Sequence, residues 1–311
     1  MTMICGVDVS SEHLDARIGR DGAALRVAND AVGIGELAAF CTSHRVALVV
    51  MEATGGYERL AFTMIWAAGV PCAIVNPRSV RRFAEAMGFL EKTDRIDAGV
   101  IAWYGEARRV VPCAPAAAHQ QQLRVLAGRL RQLTALQVMQ TNQRRLVEEP
   151  AVLASIEEIL TVVRRQSRAL AARIAGLIAA DPLWRELNQA FREIKGVSDR
   201  TIATLMAEFP EIGSLSNKAA GKLAGLAPMA RDSGKLAGKR SVRGGRRPVR
   251  AILFVVAEIV RRHDPHFAAF HRRLTDAGKP KKAIRVAVAR KLLVCLNAKA
   301  RDVRHQRALA T

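Results

Sequence analysis

Residues 47–51 read ALVVM and residues 72–75 read CAIV, two short runs without a polar side chain between them. A strand with one wet face alternates in polarity; a strand that does not alternate is covered on both faces, and helical crossovers of a parallel sheet provide that cover. The surrounding sequence has the matching pieces. Residues 34–43 and 58–68 have helical spacing, while residues 3–9 (MICGVDV), 14–20 and 24–28 read as three strands, the last two separated by the turn Arg20-Asp21-Gly22. A three-strand meander followed by alternating helix and strand specifies a mixed α/β sheet with helices on its faces. One more helix is expected from about 94 to 108. Residues 60–77 form an uncharged stretch of 18 residues, close to the length of a membrane span. Gly69-Val70-Pro71 breaks it into helix and strand, so it reads as soluble core, and no membrane partner is expected.

Pro112 and Pro115, with small residues around them, favour extended chain and close a first domain at 1–112. Helical periodicity follows. Leu123, Leu126, Leu130 and Leu133 step by three and four, and so do Ile156, Leu160, Val163, Ser167, Leu170, Ile174 and Leu177 after Pro150. Two long helices meeting near Glu148-Glu149-Pro150 predict an antiparallel coiled-coil hairpin over 116–182, by default a spacer or dimer arm. Its arginines Arg144, Arg145, Arg164, Arg165 and Arg168 would permit contact with RNA or DNA. From 183 to 311 short helices alternate with glycine-containing turns. Ile194-Lys195-Gly196-Val197-Ser198 resembles the turn of a helix-hairpin-helix, which aims backbone N–H groups at a phosphate; any helical hairpin can need such a turn. Residues 228–250 (PMARDSGKLAGKRSVRGGRRPVR) read as a glycine-rich basic loop, with helices after it over 251–262, 265–277 and 281–299.

Charge follows this division. The chain's 311 residues carry a formal net charge of +21, but 1–115 hold 12 Lys+Arg against 13 Asp+Glu, 116–220 hold 14 against 10, and 221–311 hold 23 against 5. A neutral domain joined to a basic module fits a chemistry unit attached to a unit that holds a polyanion. Aromatics are only 5%, so base stacking is not the main source of binding. Five cysteines, Cys5, Cys41, Cys72, Cys113 and Cys295, are odd in number and form no C-x-x-C, which argues against a disulfide framework or zinc ribbon. With no signal peptide in MTMICGVDVSSEHLD, a cytoplasmic, nucleoid-associated location is expected.

Four acids stand where an open α/β sheet gathers ligands. Asp8 ends the first strand, Glu52 follows ALVVM, and Asp94 and Asp97 share one face at the start of a helix. Singly, each has an ordinary explanation as a capping or turn residue. Together, four oxygen donors without His or Cys favour Mg²⁺ or Mn²⁺, and two such ions can stabilise both the attacking and leaving oxygens of a phosphodiester. In the basic run Ser233 sits between Asp232 and Gly234, flanked by Arg231 and Lys235, where cations would hold a phosphate near its hydroxyl. From spacing alone a solvated turn serine fits as well, and Ser241 is nearly as good a candidate. His263-x-x-His266 flanks a proline and reads as a helix terminus. Arg231, Lys235, Lys239, Arg240, Arg243, Arg246, Arg247 and Arg250 are the expected nucleic-acid contacts.

The strand GVDVS around Asp8, MEATGGY around Glu52, KTDRIDA around Asp94 and Asp97, and the run GLAPMARDSGKLAGKRSVRGGRRPVRAIL resemble the DEDD-type insertion-sequence transposases related to the pilin-gene DNA invertases. The resemblance covers almost the whole chain, with four motifs in the family's order. It implies a RuvC-like, RNase H-type fold for the first domain, with Asp8, Glu52, Asp94 and Asp97 as metal ligands. It implies a mostly helical transposase domain with Ser233 as nucleophile, working through a covalent 5′-phosphoserine. It also implies donor and target DNA as substrates, a noncoding bridge RNA as guide, and a dimer-to-tetramer assembly in which different subunits supply the metal site and the serine. Ser198 stands where the hairpin motif often has a second glycine. Two rival readings remain at this point, a RuvC-like nuclease or junction resolvase without a covalent intermediate, and a non-catalytic RNA- or DNA-binding protein.

Overall fold

The computed structural model describes residues 3–89, 94–230, 232–233, 236–238 and 240–310; for 94–97, 232–233 and 236–237 the description covers the backbone. The chain divides into two compact units, 1–116 and 117–311.

The first unit is built on a five-stranded sheet with spatial order β3-β2-β1-β4-β5. Strands β1 (Ile4–Val9), β2 (His13–Ile18) and β3 (Ala24–Ala28) form the expected antiparallel meander, and β4 (Leu48–Glu52) and β5 (Cys72–Val75) add to β1 in parallel. The two faces bury different residues because side chains alternate along a strand. Cys5, Val7 and Val9 pack with Ile34 and Leu37 of α1 (Ala31–Ser43) and Phe62 and Ile65 of α2 (Glu58–Ala67). Ile4, Leu48 and Val50 pack with Val80 of α3 (Pro77–Ala86) and Ile101 of α4 (Asp94–Ala107). Strands covered on both faces explain the unbroken apolar runs. The thiols of Cys5, Cys41 and Cys72 lie in the first of these cores, where burial pushes Cys72 up to about 12, and all five cysteines are free. Sequence periodicity did not reveal α3. Its signal was local: Pro77 occupies the first turn and Asn76 caps it, its side chain accepting from Arg78 N at 2.9 Å.

In the second unit α5 (Ala118–Arg144) and α6 (Pro150–Ala180) pack against one another, and Leu123, Ala127, Ile174 and Ile178 enter the same core as the helices that follow. Those are α7 (Pro182–Arg192), α8 (Asp199–Glu208), α9 (Asn217–Leu223), α10 (Arg247–His263), α11 (Pro265–Asp276) and α12 (Lys281–Ala310). Phe191, Phe209 and Phe267 are fully enclosed there; burying each such side chain stabilises by roughly 1.5–3 kcal/mol. Asn297 is a buried polar residue in this core. Its amide accepts from Gly213 N at 2.9 Å and donates to Leu215 O at 3.0 Å and Asn217 Oδ1 at 2.9 Å, tying α12 to the loop before α9. The Gly196 turn packs on α10, where an added Cβ would lie 3.3 Å from Val260 Cα, so this turn seats two helices.

The basic segment is not the loop that its composition suggests. Four two-residue strands, β6 (Pro228–Met229), β7 (Asp232–Ser233), β8 (Leu236–Ala237) and β9 (Ser241–Val242), pair as β6 with β9 and β7 with β8, both antiparallel. Along the chain the β7–β8 pair falls between β6 and β9, and these two short ladders define the basic ribbon. Helix α10 begins at Arg247, four residues before its expected start, with Pro248 in its first turn. Arg247 and Arg250 are therefore helical residues.

Candidate active site and nucleic-acid interface

Register and pleat fix where Asp8 and Glu52 point. Val7 pairs with Met51 across the parallel β1–β4 ladder, and one further step brings Asp8 beside Glu52 on the face opposite Val7 and Met51. That face is covered by α4. A Cβ on Gly6 would lie 2.0 Å from Ala98 O and 2.4 Å from Ala102 N, so helix and strand touch backbone to backbone and no other residue fits at position 6. A Cβ on Gly105 would meet Ile4 and Val50 side chains at 3.3 and 2.9 Å. As β1 runs from Ile4 through Gly6 toward Asp8, α4 thus runs the other way, and its first turn, with Asp94 and Asp97, lies at the Asp8 and Glu52 end of the sheet.

Asp8 and Glu52 are half-buried. The side chains of Asp94 and Asp97 lie outside the described residues. Among the described residues no three His, Cys, Asp or Glu side chains gather closely enough to hold an ion. The donors present are hard carboxylate oxygens on adjacent strands, which suits Mg²⁺ or Mn²⁺. Sequence reasoning missed two neighbours. Asp15 pairs directly opposite Asp8 on β2 and makes an ion pair with Arg26 at 3.7 Å. Glu58, nearly buried, accepts hydrogen bonds from Thr54 N at 3.0 Å and Gly56 N at 2.9 Å, and Thr54 Oγ1 donates to Glu52 O at 3.1 Å. Glu58 therefore braces the turn that follows Glu52. Its signal was an acid at a helix start just past Gly55-Gly56.

On the ribbon, the Ser233 backbone pairs with Leu236 in the β7–β8 ladder and Ser241 pairs with Met229 in the β6–β9 ladder. The Ser233 side chain lies outside the described residues, as do Arg231, Lys235 and Lys239 entirely. The root of the ribbon is tightly clasped. Gly225 and Gly245 both have positive φ, and a Cβ on either would come within 2.3 Å of the other strand's backbone. Arg246 N donates to Leu223 O at 2.8 Å, and Arg250 donates to Gly244 O.

The expected nucleic-acid contacts fall into different groups. Arg243 and Arg247 are exposed. Arg240 is exposed as well. Arg246 is engaged internally, with two 2.5 Å bonds to the carboxylate of Glu211, one of 2.9 Å to Glu208 O, and its guanidinium over the Phe209 ring. Burial pushes the Glu211 carboxyl up, but the hydrogen bonds from Arg246 and its charge outweigh this and hold it below the usual value. On α5 and α6, Arg144 and Arg164 lie 2.8 and 3.8 Å from Glu157, while Arg145, Arg165 and Arg168 are exposed. His263 ends α10 and His266 lies in the first turn of α11, where Asp264 accepts from His266 N at 2.9 Å. They are terminus residues, as expected. Among the described residues no helix is long and apolar enough to cross a membrane.

Comparison with known proteins gives two family matches. Residues 5–147 match a DEDD transposase model and residues 188–272 match the transposase IS116/IS110/IS902 family, so the second match contains the whole ribbon. The pilin gene-inverting protein of Moraxella bovis is 29% identical over 264 residues, covering 79% of this chain and 77% of its own length, and that of Moraxella lacunata matches to the same extent. An insertion element IS110 protein of 43.6 kDa from Streptomyces coelicolor is 31% identical over 158 residues, 49% of this chain and 37% of its own.

Proposed function

Because this chain belongs to the IS116/IS110/IS902 family of transposases and is a DNA recombinase, we propose that it moves or inverts a DNA segment by site-specific cleavage and rejoining. In this reading Asp8, Glu52, Asp94 and Asp97 hold Mg²⁺ or Mn²⁺. A bound ion supplies charge stabilisation at the attacking and leaving oxygens of the phosphodiester. Ser233 is the nucleophile. Its Oγ forms a bond to the scissile phosphorus as the bond to the 3′-oxygen breaks; the hydroxyl proton departs, and the 3′-oxygen takes up a proton. The product is a 5′-phosphoserine that keeps the energy of the phosphodiester, so rejoining needs no outside energy source. The observation that supports this most is the β1–β4 register, whose next step sets Asp8 beside Glu52 on one face of the sheet, at the end where α4 begins with Asp94 and Asp97.

The same reading takes the first unit as RNase H-like and α5–α6 as an antiparallel coiled coil that joins subunits. It assigns recognition of donor and target DNA to a bridge RNA, which fits an abundance of Lys and Arg, since backbone contacts carry no sequence code. The serine and the carboxylates would then meet across subunits of a dimer or tetramer.

The test uses end-labelled DNA carrying the element's termini, the copurifying RNA, and Mg²⁺ or Mn²⁺. A protein–DNA adduct that survives denaturation should form, disappear in Ser233→Ala and in Asp8→Asn, and persist in Ser241→Ala. Cleavage without an adduct, unchanged by Ser233→Ala, would establish a nuclease instead. No cleavage by the wild-type protein, with nucleic-acid binding unaffected by Asp8→Asn and Glu52→Gln, would leave a binding protein that has lost its chemistry.

A further inference from the structure

A group of positive charges in the second unit, away from the ribbon, lines a cleft of roughly 820 Å³ between α10, α11 and the start of α12. Arg261, Lys279, Lys281, Lys282 and Arg285 line it against one carboxylate, Glu258. That carboxylate is already balanced. Glu258 bonds both Arg261 and Arg262, and those bonds, Arg261's first, hold its carboxyl at about 2. Arg285 is fixed by a 2.8 Å bond from Nε to Phe254 O and by stacking on the Phe254 ring, 4.2 Å from the centroid. Lys279, Lys281 and Lys282 are exposed and make no ion pair among the described residues.

The ordinary explanation, a solvated basic face, does not account for the shape. A convex run of lysines would separate its charges into water. Here the chain turns at 277–280, where Gly278 N donates to Thr275 O at 2.9 Å and Lys279 N to Leu274 O at 3.1 Å, and three lysines converge on a concave wall. The wall also holds the first turn of a 30-residue helix, α12, and the leading N–H groups of any helix lack carbonyl partners within it. Concave walls of low dielectric focus such a field. The five cations that line the cleft come from α10, the turn at 277–280 and α12, more charge than one compact anion needs, and a strand that carries a phosphate on every nucleotide can meet them in succession.

We propose that this cleft is a second binding site for the sugar–phosphate backbone of a nucleic-acid strand, separate from the ribbon. The inference rests on the reading of the chain as a nucleic-acid-processing protein and extends it to residues outside 231–250. Phosphate contacts of this kind set position and register, and sequence plays no part in them.

The experiment compares the full-length protein with the triple variant Lys279→Gln, Lys281→Gln, Lys282→Gln. A charge-matched control, Arg45→Gln, Arg82→Gln, Arg108→Gln, removes three exposed cations from the first unit. Fluorescence anisotropy with a labelled 30-nucleotide single strand and its duplex is read across a salt series. Each phosphate contact contributes about 0.7–0.9 to the slope of log affinity against log salt, so the lysine variant should lower the slope by about 2 and weaken binding about tenfold or more. The control should lower it by less than 1. Equal slopes in wild type and lysine variant, or equal losses in both variants, would overturn the site while leaving the proposed function standing. Failure of the wild-type protein to bind any polynucleotide would remove both. Acylation footprinting separates a strand from a compact anion: the strand should shield Lys281 and Lys282, and shielding by pyrophosphate at equal phosphate concentration would overturn the assignment to a strand.

Discussion

The two units of this chain place charge by opposite means. In the first, near-neutral unit, a carboxylate points where strand register sends it: Asp8 and Glu52 share a face because Val7 pairs with Met51, and Gly6 lets α4 close over that face. In the second, basic unit, direction is decided one arginine at a time. Arg246 grips Glu211, Arg285 reaches the Phe254 carbonyl, and Arg304 donates to Ile212 O at 2.8 Å and Pro210 O at 2.8 Å, whereas Arg243 and Arg247 face outward. Net charge therefore overstates the binding surface of the second unit. In the first, net charge near zero hides the acids proposed to hold an ion.

The sharpest way to break the first half of this contrast is Gly6→Val. The branched side chain would have to occupy the space of the α4 backbone, and we expect a loss above about 3 kcal/mol with unfolding of the first unit, seen by circular dichroism and limited proteolysis. A first unit that melts like wild type would show that α4 does not depend on that contact. Asn297→Ala probes how the helical unit resists change. It strands Gly213 N–H and Leu215 O inside the core, at an expected cost of about 2–4 kcal/mol by urea denaturation. A cost under 1 kcal/mol would show that the loop before α9 finds other partners.

Arg246→Ala and Arg243→Ala divide the basic residues by role. The first should lower stability by about 1–3 kcal/mol, because a partly buried Glu211 loses its partner, and should alter nucleic-acid affinity only as folding falters. The second should leave stability within about 0.5 kcal/mol and weaken binding at low salt. Reversed effects would dissolve the distinction drawn here. The smallest effect concerns acid. The Glu258 carboxyl titrates at about 2 in the folded protein against 4.5 ordinarily. Its contribution is present above about pH 4.5 and is lost as pH falls toward 2. Glu258→Gln should flatten the acid limb of stability between those values, measured by melts across that range; an unchanged limb would mean that Arg261 and Arg262 gain nothing from it.

Much of the first unit was legible because its central strands, β1 and β4, are buried on both faces. CAIV is β5 without a residue of error, and ALVVM is offset from β4 by a single position. Asp8 and Glu52 could be singled out because an acid at the end of an apolar run is conspicuous. Helix α3 escaped because arginines interrupt its apolar spacing, leaving only Asn76 and Pro77 to announce it. The ribbon escaped for a different reason: strands of two residues are too short to carry a period. The Arg246–Glu211 pair spans 35 residues, and no local pattern reports a partner at that separation.

The clasp between Gly225 and Gly245 also bears on how such a protein can change over evolutionary time. When both ends of a segment are pinned against each other, the gap it must bridge is settled before its length is, and adding or removing residues beyond the pin costs only the slowly rising entropy of a larger loop. The helical bundle is thus insulated from the length of the stretch between residues 226 and 243, and this segment is a part of the second unit that can be retailored without refolding the remainder.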